Sequence, residues 1–508
     1  MSHKIVYIPL DERPCNDEYP LRLFAGMDDI AVTAPPKTML GHKKTPANVD
    51  SIRRFVLANI GDADALVAST EMLVYGGLLP SRIYPITGTT PDVEAYTRFI
   101  KQLKASIPGL RIYLSNLIMR TPRYNSSDEE PDYYGQYGES IFTMAWLQDK
   151  EKRQGLTSTE KVKLAGLTVQ VPPEYVADYA GRRERNLAIN LANIDLVAKG
   201  AIDYLVIPQD DSAEYGYTAH DQAIIYPAIK KKRLQTKIAV YPGADESGYS
   251  LLARAVQTIR QHQLRVFPVY ASSLGKLAIP LYEDRPLCIT AESHILASGC
   301  QLVAAPQEAD IILGVNTPGK QMIEAFDQLN RPAVTYDTFR NLRSFVTELA
   351  YYQKKKVPIA VADSAYANGG DLELLSLLDT TGLLPRLAAY RGWNTDGNTL
   401  GSAIATAVIL HGSKTADKQK ELWSCILDDG IYQPLVRKET TEEYLPTVGA
   451  NYFDLGSQAD QIAQLVSRQI VTQAQEYVPK MAEMQRDTQY KITFPWNRMF
   501  EIFVKSIA

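Results

Sequence analysis

Short apolar runs alternate with longer amphipathic stretches over the first 270 residues. The amphipathic stretches, such as 49–59 and 93–103, are long enough to form helices. Regular alternation of strand and helix predicts a parallel sheet. About seven such units fit a (β/α)8-like barrel, which we favour, although a similar open parallel α/β domain would show the same pattern. The predicted strands cover residues 5–8, 30–33, 65–68, 112–114, 204–207, 238–240 and 266–269.

The same alternation restarts after residue 270. Helix-like stretches at 320–329 and 339–352 lie between further short apolar runs. This pattern predicts a second, open parallel α/β domain. Its predicted strands cover residues 287–290, 311–315, 333–336, 359–362 and 387–390.

Two further segments are predicted to be helical. Between residues 135 and 202, the i, i+4, i+7 spacing of Leu187, Leu191 and Ile194 forms one apolar stripe. Residues 413–508 are helix-like with a polar bias and end in an aromatic run that we expect to pack back onto the body. We therefore divide the chain into a barrel-like domain at 1–274 with a helical insertion at about 135–202, a second α/β domain at 275–412, and a mainly helical C-terminal segment at 413–508.

Composition narrows the class of protein. The 508 residues include 45% hydrophobic and 22% charged residues, which is typical of soluble globular proteins. A formal net charge of −4 offers no basic field for a nucleic-acid partner. No apolar run is long enough to span a membrane, and the first apolar run is too short for a signal peptide, so we expect a cytoplasmic protein. The four cysteines lack CxxC spacing and predict neither a zinc site nor a disulfide framework.

Acidic residues follow two neighbouring predicted strands. Asp210 and Asp211 come directly after the strand at 204–207, and Asp245 and Glu246 follow the strand at 238–240. Because the carboxyl ends of parallel strands share one face, these four residues are our candidate catalytic groups. Repulsion between two adjacent carboxylates raises the pKa of one of them, as acid catalysis requires. The alternative is structural, because DDSAE is also a good helix start in which an aspartate would cap the helix.

Other predicted strand ends carry polar and aromatic residues that suit substrate binding. After the first strand, the planar guanidinium of Arg13 is suited to bind a ligand in a bidentate manner. The alternative is that this turn forms a helix N-cap with a surface ion pair. The asparagines of the second domain also suit ordinary turns. The candidate substrate-binding residues are Asp11, Glu12, Arg13, Asn16, Glu71, Tyr75, Arg82, Asn116, Arg120, Tyr215, Asn316, Asp363, Asn368, Trp393 and Asn394.

This assignment leads to two predictions about which strand ends lie close together. We predict that Asp11, Arg13, Glu71, Asp210 and Asp245 line one cavity, because barrel strand ends share a face. We also predict that strand ends of the second domain reach that cavity at the domain boundary, where small-molecule pockets tend to form. The residues concerned are Asn316, Asp363, Asn368 and Asn394.

Six short sequence segments, taken in their order along the chain, resemble those of a bacterial family, domain-of-unknown-function family 4127. They are YIPLDERPCN, STEMLVYGGLLPSR, PQDDSAEYG, YPGADE, ADSAYANGGD and GWNTDGNTLG, and they extend over nearly the whole chain. The resemblance implies relatives but no established activity. At the level of one motif, Asp210 and Asp211 with Tyr215 are also similar to retaining hexosaminidases, in which adjacent acids at a barrel strand end orient the substrate acetamide and donate a proton.

Three functions fit these observations. The first is a glycoside hydrolase acting on a carbohydrate or another small polar substrate without a cofactor, in which one carboxylic acid donates a proton and a second carboxylate stabilises the transition state. The second is a Mg²⁺- or Mn²⁺-dependent hydrolase or lyase that uses the same acids, with His220 as a further ligand. The third is a non-catalytic protein whose two domains close on a small molecule. The absence of a phosphate-loop motif disfavours nucleotide binding.

Overall fold

The computed structural model describes residues 2–84, 92–329, 333–413 and 418–507. The chain forms two compact units. The first unit comprises Met1–Glu12, Asp28–Leu251 and Tyr282–Asp284, and the second comprises Arg13–Met27, Leu252–Leu281 and Arg285–Ala508.

A six-stranded parallel sheet forms the centre of the first unit. Its strands are β1 (His3–Ile8), β2 (Ile30–Thr33), β3 (Ala65–Ser69), β4 (Arg111–Ser115), β5 (Tyr204–Gln209) and β6 (Ile238–Pro242). They lie in the order β2-β1-β3-β4-β5-β6, so the sheet is open and the predicted barrel is wrong. The general prediction of a parallel α/β domain is confirmed. Chain order reverses between β1 and β3, which is where ligands of open α/β sheets bind, outside the carboxyl ends of the strands.

Apolar strands buried on both faces explain why this sheet was predictable. β3 is buried along its whole length, β4 is buried except at its first residue, and β1 is buried except at its first two residues. Such strands appear as continuous apolar runs in sequence. Side-chain caps fix several of the helices between them: Asn48 accepts a hydrogen bond from the Ser51 amide, and Asp92 accepts one from the Ala95 amide.

A second open parallel sheet has the same winding. Its strands are β7 (Arg265–Tyr270), β8 (Gln301–Leu302), β9 (Ile311–Asn316), β10 (Ile359–Asp363) and β11 (Ala389–Arg391). They lie in the order β11-β10-β9-β7-β8, with the reversal between β7 and β9. The prediction of a second open parallel sheet is confirmed, and the strand predicted at 266–269 belongs to this sheet rather than to the first.

Three predicted elements of this second region are wrong. Residues 287–290 begin the helix Leu287–Ala297, whose Leu287, Ala291 and Ile295 are buried at the helical i, i+4, i+8 spacing. Residues 333–336 enter the helical turn Thr335–Thr338. The stretch predicted as a helix at 320–329 contains only a 3₁₀ turn, because its backbone pairs with another loop: the Ala325 amide donates to the Ala367 carbonyl at 2.8 Å.

The helices follow the predicted alternation elsewhere. The predicted insertion contains three helices between β4 and β5, and the C-terminal segment contains helices, two π-helical stretches and an unpredicted antiparallel hairpin of β12 (Gln489–Thr493) and β13 (Phe503–Ile507). The α-helices are Glu18–Arg22, Val49–Asn59, Thr70–Val74, Leu78–Ile83, Val93–Ser106, Tyr134–Arg153, Ser158–Gln170, Pro173–Ala198, Tyr217–Lys231, Ser247–Ile259, Leu287–Ala297, Thr335–Thr338, Leu342–Lys354, Leu372–Thr380, Asp396–Ile409, Lys418–Cys425, Arg437–Glu439, Ala459–Tyr477 and Pro479–Met484. The π-helical stretches are Ile426–Val436 and Thr440–Tyr444.

Two further observations complete the description. Within the described ranges, no helix is both long and apolar enough to cross a bilayer. None of the four cysteines forms a disulfide bond.

Candidate active site

The carboxyl ends of the first sheet carry a row of buried polar residues. Asp11 and Glu12 follow β1, Glu71 follows β3, and Asn116 follows β4. The residues after β5 and β6 are the four candidate catalytic acids. Because all six strands are parallel, these strand ends lie along one edge of the sheet. This edge therefore collects most of the sequence-predicted site residues of the first unit.

The turn after β5 is not a helix cap. β5 continues through Pro208 to Gln209, and the next helix begins only at Tyr217, after Gly216. The alternative in which Asp210 or Asp211 caps a helix is therefore wrong. Asp211 has a φ of 43°, a left-handed conformation that aspartate and asparagine adopt more readily than most residues. The turn leaves both carboxylates free to meet side chains from other loops.

Arg82 anchors the first of these carboxylates. Its Nη2 donates to Asp210 Oδ2 at 2.6 Å, and its Nη1 lies 2.9 Å from Glu129 Oε2 and 3.4 Å from Glu130 Oε1. Arg82 is buried, and the Asp210 side chain is only 12% exposed. Charge-assisted bonds of this kind are shorter and stronger than neutral ones. Asp210 is thus fixed in place by a buried cation.

Arg120 binds the second carboxylate more loosely. It donates to Glu130 Oε1 and Glu129 Oε2, each at 2.8 Å, and reaches Asp211 Oδ2 at 3.5 Å. The Asp211 side chain is 20% exposed. Two arginines therefore meet four carboxylates, and Asp211 has the weakest arginine contact. We call this group the acid–arginine cluster; it consists of Arg82, Arg120, Glu129, Glu130, Asp210 and Asp211.

Protonation in this cluster is uneven. Burial raises the pKa of Asp211 to about 6, the charge of Asp210 adds to the rise, and Arg120 and Arg82 oppose it. Burial also raises the pKa of Glu130, against the two arginines. The Glu130 Oε2 atom has no hydrogen-bond partner in the part of the chain that the structure describes. The cluster therefore contains an acid that is protonated below about pH 6 beside a carboxylate that is paired with arginine.

The turn after β6 places a second acid at the same edge. Gly243, with a φ of 151°, lets the Glu246 carboxyl group fold against its backbone, because a Cβ atom there would lie 2.4 Å from Glu246 Oε1. The Ala244 amide donates to Glu246 Oε2 at 2.7 Å. Burial, together with the nearby charges of Asp245 and Asp210, raises the pKa of Glu246 to about 8. Glu246 is therefore neutral at pH 7, and its Oε1 atom lacks a hydrogen-bond partner among the described residues.

Glu71 and Asn116 connect adjacent strands. Glu71 Oε1 accepts hydrogen bonds from Asn116 Nδ2 and the Leu117 amide, both at 2.8 Å, and Glu71 Oε2 accepts one from Ser69 Oγ at 2.9 Å. Burial raises the pKa of Glu71, and these hydrogen bonds oppose the rise. Tyr75 is buried against Tyr84 at 5.6 Å between ring centroids. This arrangement positions the ends of β3 and β4.

The remaining first-domain candidates have other neighbours. Glu12 Oε1 accepts from the Lys43 amide at 2.8 Å. The Tyr215 ring packs edge-on against Trp146 of the helical insertion at 5.1 Å. Arg13 and Asn16 both belong to the second unit. The Arg13 guanidinium lies 3.6 Å from Glu501, and Asn16 is buried. The convergence of all five predicted residues in one cavity stays a prediction.

The second sheet has its own polar cluster at its carboxyl ends. Asn316 Nδ2 donates to Asp363 Oδ1 at 2.8 Å and to Asp371 Oδ2 at 3.0 Å. Arg340 donates to Asp371 Oδ2 at 2.5 Å, and Tyr390 donates to Asp363 Oδ2 at 2.7 Å. Burial raises the pKa of Asp363 to about 7, with Asp371 adding to the rise. We call these five residues the second-edge cluster.

The other candidates of the second unit lie in loops beside this cluster. The Asn368 amide donates to the Asn394 carbonyl at 2.8 Å, and both asparagines have left-handed φ angles, 58° and 63°. Trp393 is half-buried, with its ring 6.1 Å from Phe500. The turn function that asparagine commonly serves thus accounts for the backbone of Asn368 and Asn394.

Sequence reasoning missed several members of these clusters. Glu129 and Glu130 lie in the acidic and aromatic run that follows Arg120, and that run was the available signal. Asp284, which accepts from Gln209 Nε2 at 3.0 Å, had no local signal. Arg340, Asp371 and Tyr390 of the second-edge cluster were also missed. In the described ranges, no three His, Cys, Asp or Glu side chains are arranged to hold a metal ion.

Comparison with known proteins supplies a family. A search of curated proteins gives no match. The family model described as "Protein of unknown function (DUF4127)" matches residues 5–505, nearly the whole chain. This chain therefore belongs to the DUF4127 family, as the six sequence segments named above indicate.

Proposed function

We propose that the carboxyl edge of the first sheet is the active site of a glycoside hydrolase, with Asp211 as general acid and Asp210 as the stabilising carboxylate. The observation that carries the proposal is the unequal environment of these two adjacent acids. Arg82 contacts Asp210 at 2.6 Å, whereas Asp211 has only a 3.5 Å contact with Arg120 and a pKa of about 6. When the environments of two neighbouring acids separate their pKa values, one of them commonly acts as the acid and the other as the base or stabilising group.

Glycosidic cleavage needs these two states together. A protonated carboxyl group donates to the leaving oxygen, and a charged carboxylate or a substrate group stabilises the oxocarbenium-like transition state. Asp211 holds its proton up to about pH 6 and is partly exposed, so a substrate oxygen can approach it. Asp210 forms a 2.6 Å ion pair with the buried guanidinium of Arg82.

Glu246 and Asp245 form the reserve pair of this proposal. Glu246 is neutral at pH 7 and has a free oxygen, so it satisfies the protonation requirement of an acid. It is only 1% exposed, however, whereas the Asp211 side chain is 20% exposed. We therefore assign proton donation to Asp211 and treat Glu246 as a neutral neighbour that limits the negative charge around Asp210.

Turnover by single-site variants tests the assignment. A panel of aryl glycosides identifies a cleaved substrate, and kcat is then compared for the wild type, Asp210→Asn, Asp211→Asn and Asp28→Asn. Asp28 is an exposed aspartate of the same unit and serves as the charge-matched control. Loss of a general acid lowers kcat by roughly 10²–10⁴. Asp211→Asn should lose less activity on a dinitrophenyl glycoside than on an alkyl glycoside, because a good leaving group needs little protonation.

The pH profile and a chelator separate the alternatives. Activity should fall as pH rises through about 6, since the acid must be protonated, and this limb should vanish in Asp211→Asn. Full turnover by both active-site variants would reject the assignment. Complete loss of activity with EDTA and its recovery with Mg²⁺ would instead support a metal-dependent hydrolase, and binding of sugars without cleavage would support a non-catalytic protein.

A further inference from the structure

The second unit contains a cavity of about 340 Å³ whose lining does not include the second-edge cluster. It lies between the short helix Glu18–Arg22, the helix Lys418–Cys425 and β13. Its volume falls within the range of small-molecule sites. Its charged lining residues are Arg22, Lys418, Lys420, Lys505, Glu18 and Glu421.

Arg22 is held in a fixed orientation within this lining. Its guanidinium lies 4.9 Å from the ring centre of Tyr19 and 4.7 Å from that of Phe503. Its Nη1 donates to the Val504 carbonyl at 3.1 Å. Stacking on aromatic rings fixes the planar donor group that arginine uses to bind oxyanions in a bidentate manner. No carboxylate of the described residues pairs with Arg22.

Two of the lining lysines, Lys418 and Lys505, add positive charge to the cavity. Lys418 Nζ donates to the Leu410 carbonyl at 2.9 Å, and neither Lys418 nor Lys505 forms an ion pair within the described part of the chain. Lys505 also lies directly opposite Lys491 across the β12–β13 hairpin. Like charges in that position destabilise a hairpin unless a counterion relieves them.

The two carboxylates of the lining do not cancel this charge. Glu421 Oε1 lies 3.2 Å from Arg391 Nη2, so its charge is already matched. Glu18 is the other carboxylate, and the three cations Arg22, Lys418 and Lys505 outnumber it even without Lys420. A cavity with this excess of cationic donors favours a ligand that carries a compact, doubly charged oxyanion.

We propose that this cavity binds a small organic phosphate, with Arg22 as the oriented donor and Lys418 and Lys505 as the surrounding cations. The phosphoryl group would accept hydrogen bonds from the free guanidinium nitrogens. The apolar lining from Leu23, Ala25 and Leu410 leaves room for an organic part beyond the phosphoryl group. The site is independent of the proposed glycoside hydrolase.

Isothermal titration calorimetry on the full chain tests this site with three probes: glucose 6-phosphate, inorganic phosphate and glucose. We expect glucose 6-phosphate to bind, inorganic phosphate to bind more weakly, and glucose to give no heat. Affinity for glucose 6-phosphate should fall with added NaCl, because the cations are partly exposed. Equal binding of glucose, or no binding of either phosphate at millimolar concentration, would overturn the proposal.

Matched variants locate the binding. Arg22→Gln should weaken binding of glucose 6-phosphate by roughly tenfold or more, and Lys505→Gln by roughly two- to fivefold. Lys320→Gln removes an exposed lysine of the same unit outside the cavity and should bind like the wild type. Thermal unfolding checks that each variant is folded. If Arg22→Gln does not fold, Lys505→Gln decides, and wild-type affinity in Lys505→Gln would place the ligand elsewhere.

Discussion

In the first sheet, Asp210 and Asp211 leave the strand end among two arginines and two glutamates, and their side chains keep 12% and 20% of their surface. In the second sheet, which winds in the same order, Asp363 and Asp371 are almost completely buried. Both oxygens of Asp363 accept hydrogen bonds, whereas Glu130 and Glu246 of the first edge each have an oxygen without a partner among the described residues.

This difference separates two uses of the same kind of strand end. A fully satisfied, fully buried network fixes one arrangement of the chain and has no atom left for a ligand. A partly exposed cluster with unsatisfied oxygens costs stability in the free protein, and active sites tolerate that cost. We therefore expect substitutions at the second edge to reduce stability, and substitutions at the first edge to reduce activity.

The largest effect on stability is expected from Asp371→Asn in the second-edge cluster. The change removes the carboxylate that Arg340 contacts at 2.5 Å and leaves a buried guanidinium without its ion-pair partner. Breaking a buried ion pair from one side costs about 3–5 kcal/mol. The free energy of unfolding, measured by urea titration at pH 7, should fall by that amount. A change below about 1 kcal/mol would show that the second-edge cluster contributes little to the stability of the fold.

The second effect concerns the pH dependence of stability and Glu246. Its pKa in the folded protein, about 8, lies above its ordinary value of 4.5, so the folded state binds the proton more tightly than the unfolded state. Stability from this group is complete below about pH 4.5 and is lost as pH rises through 8. The loss is on the order of 5 kcal/mol by that linkage.

Glu246→Gln removes this titration. The neutral amide replaces the protonated acid, so the free energy of unfolding of the variant should fall less between pH 5 and pH 8 than that of the wild type. Urea titrations at both pH values on both proteins provide the comparison. Parallel pH dependence in the two proteins would mean that Glu246 ionises as easily in the folded chain as in the unfolded chain.

The strands of the first sheet could be predicted because each contains a short apolar run, and β3, β4 and β5 are almost completely buried. All six runs from β1 to β6 are apolar, and each predicted range lies inside an observed strand. The order of the strands could not be predicted, because pairing between β1 and β3 depends on contacts between distant residues. Counting strands therefore gave a barrel where the chain forms an open sheet. Short apolar runs are ambiguous for a related reason, and residues 287–290 proved to be helical.

The candidate site was predictable only where acids follow strands directly. Asp210, Asp211, Asp245 and Glu246 met that condition, and the structure places them at one sheet edge. Glu130 does not follow a strand directly, and the sequence of a long loop does not indicate which of its acids are buried. In the structure Glu130 is only 1% exposed and contacts Arg82 and Arg120. The partners of a buried carboxylate come from distant segments, and sequence spacing carries no information about them.

The smallest effect is expected from the same chemical change at the first edge, Asp211→Asn. Arg120 keeps its contacts with Glu129 and Glu130 at 2.8 Å, so no buried cation loses its partners. Asparagine also adopts the left-handed backbone of residue 211 readily. The pKa of Asp211, about 6, lies above the ordinary 3.8, so the wild type loses stability as pH rises through 6 and the variant does not. At pH 4 the free energy of unfolding should differ from that of the wild type by less than about 1 kcal/mol, and at pH 8 the variant should be equally or more stable. Urea titrations beside Asp371→Asn provide the measurement, and a loss of several kcal/mol at either pH would show that the first edge, like the second, holds the fold together.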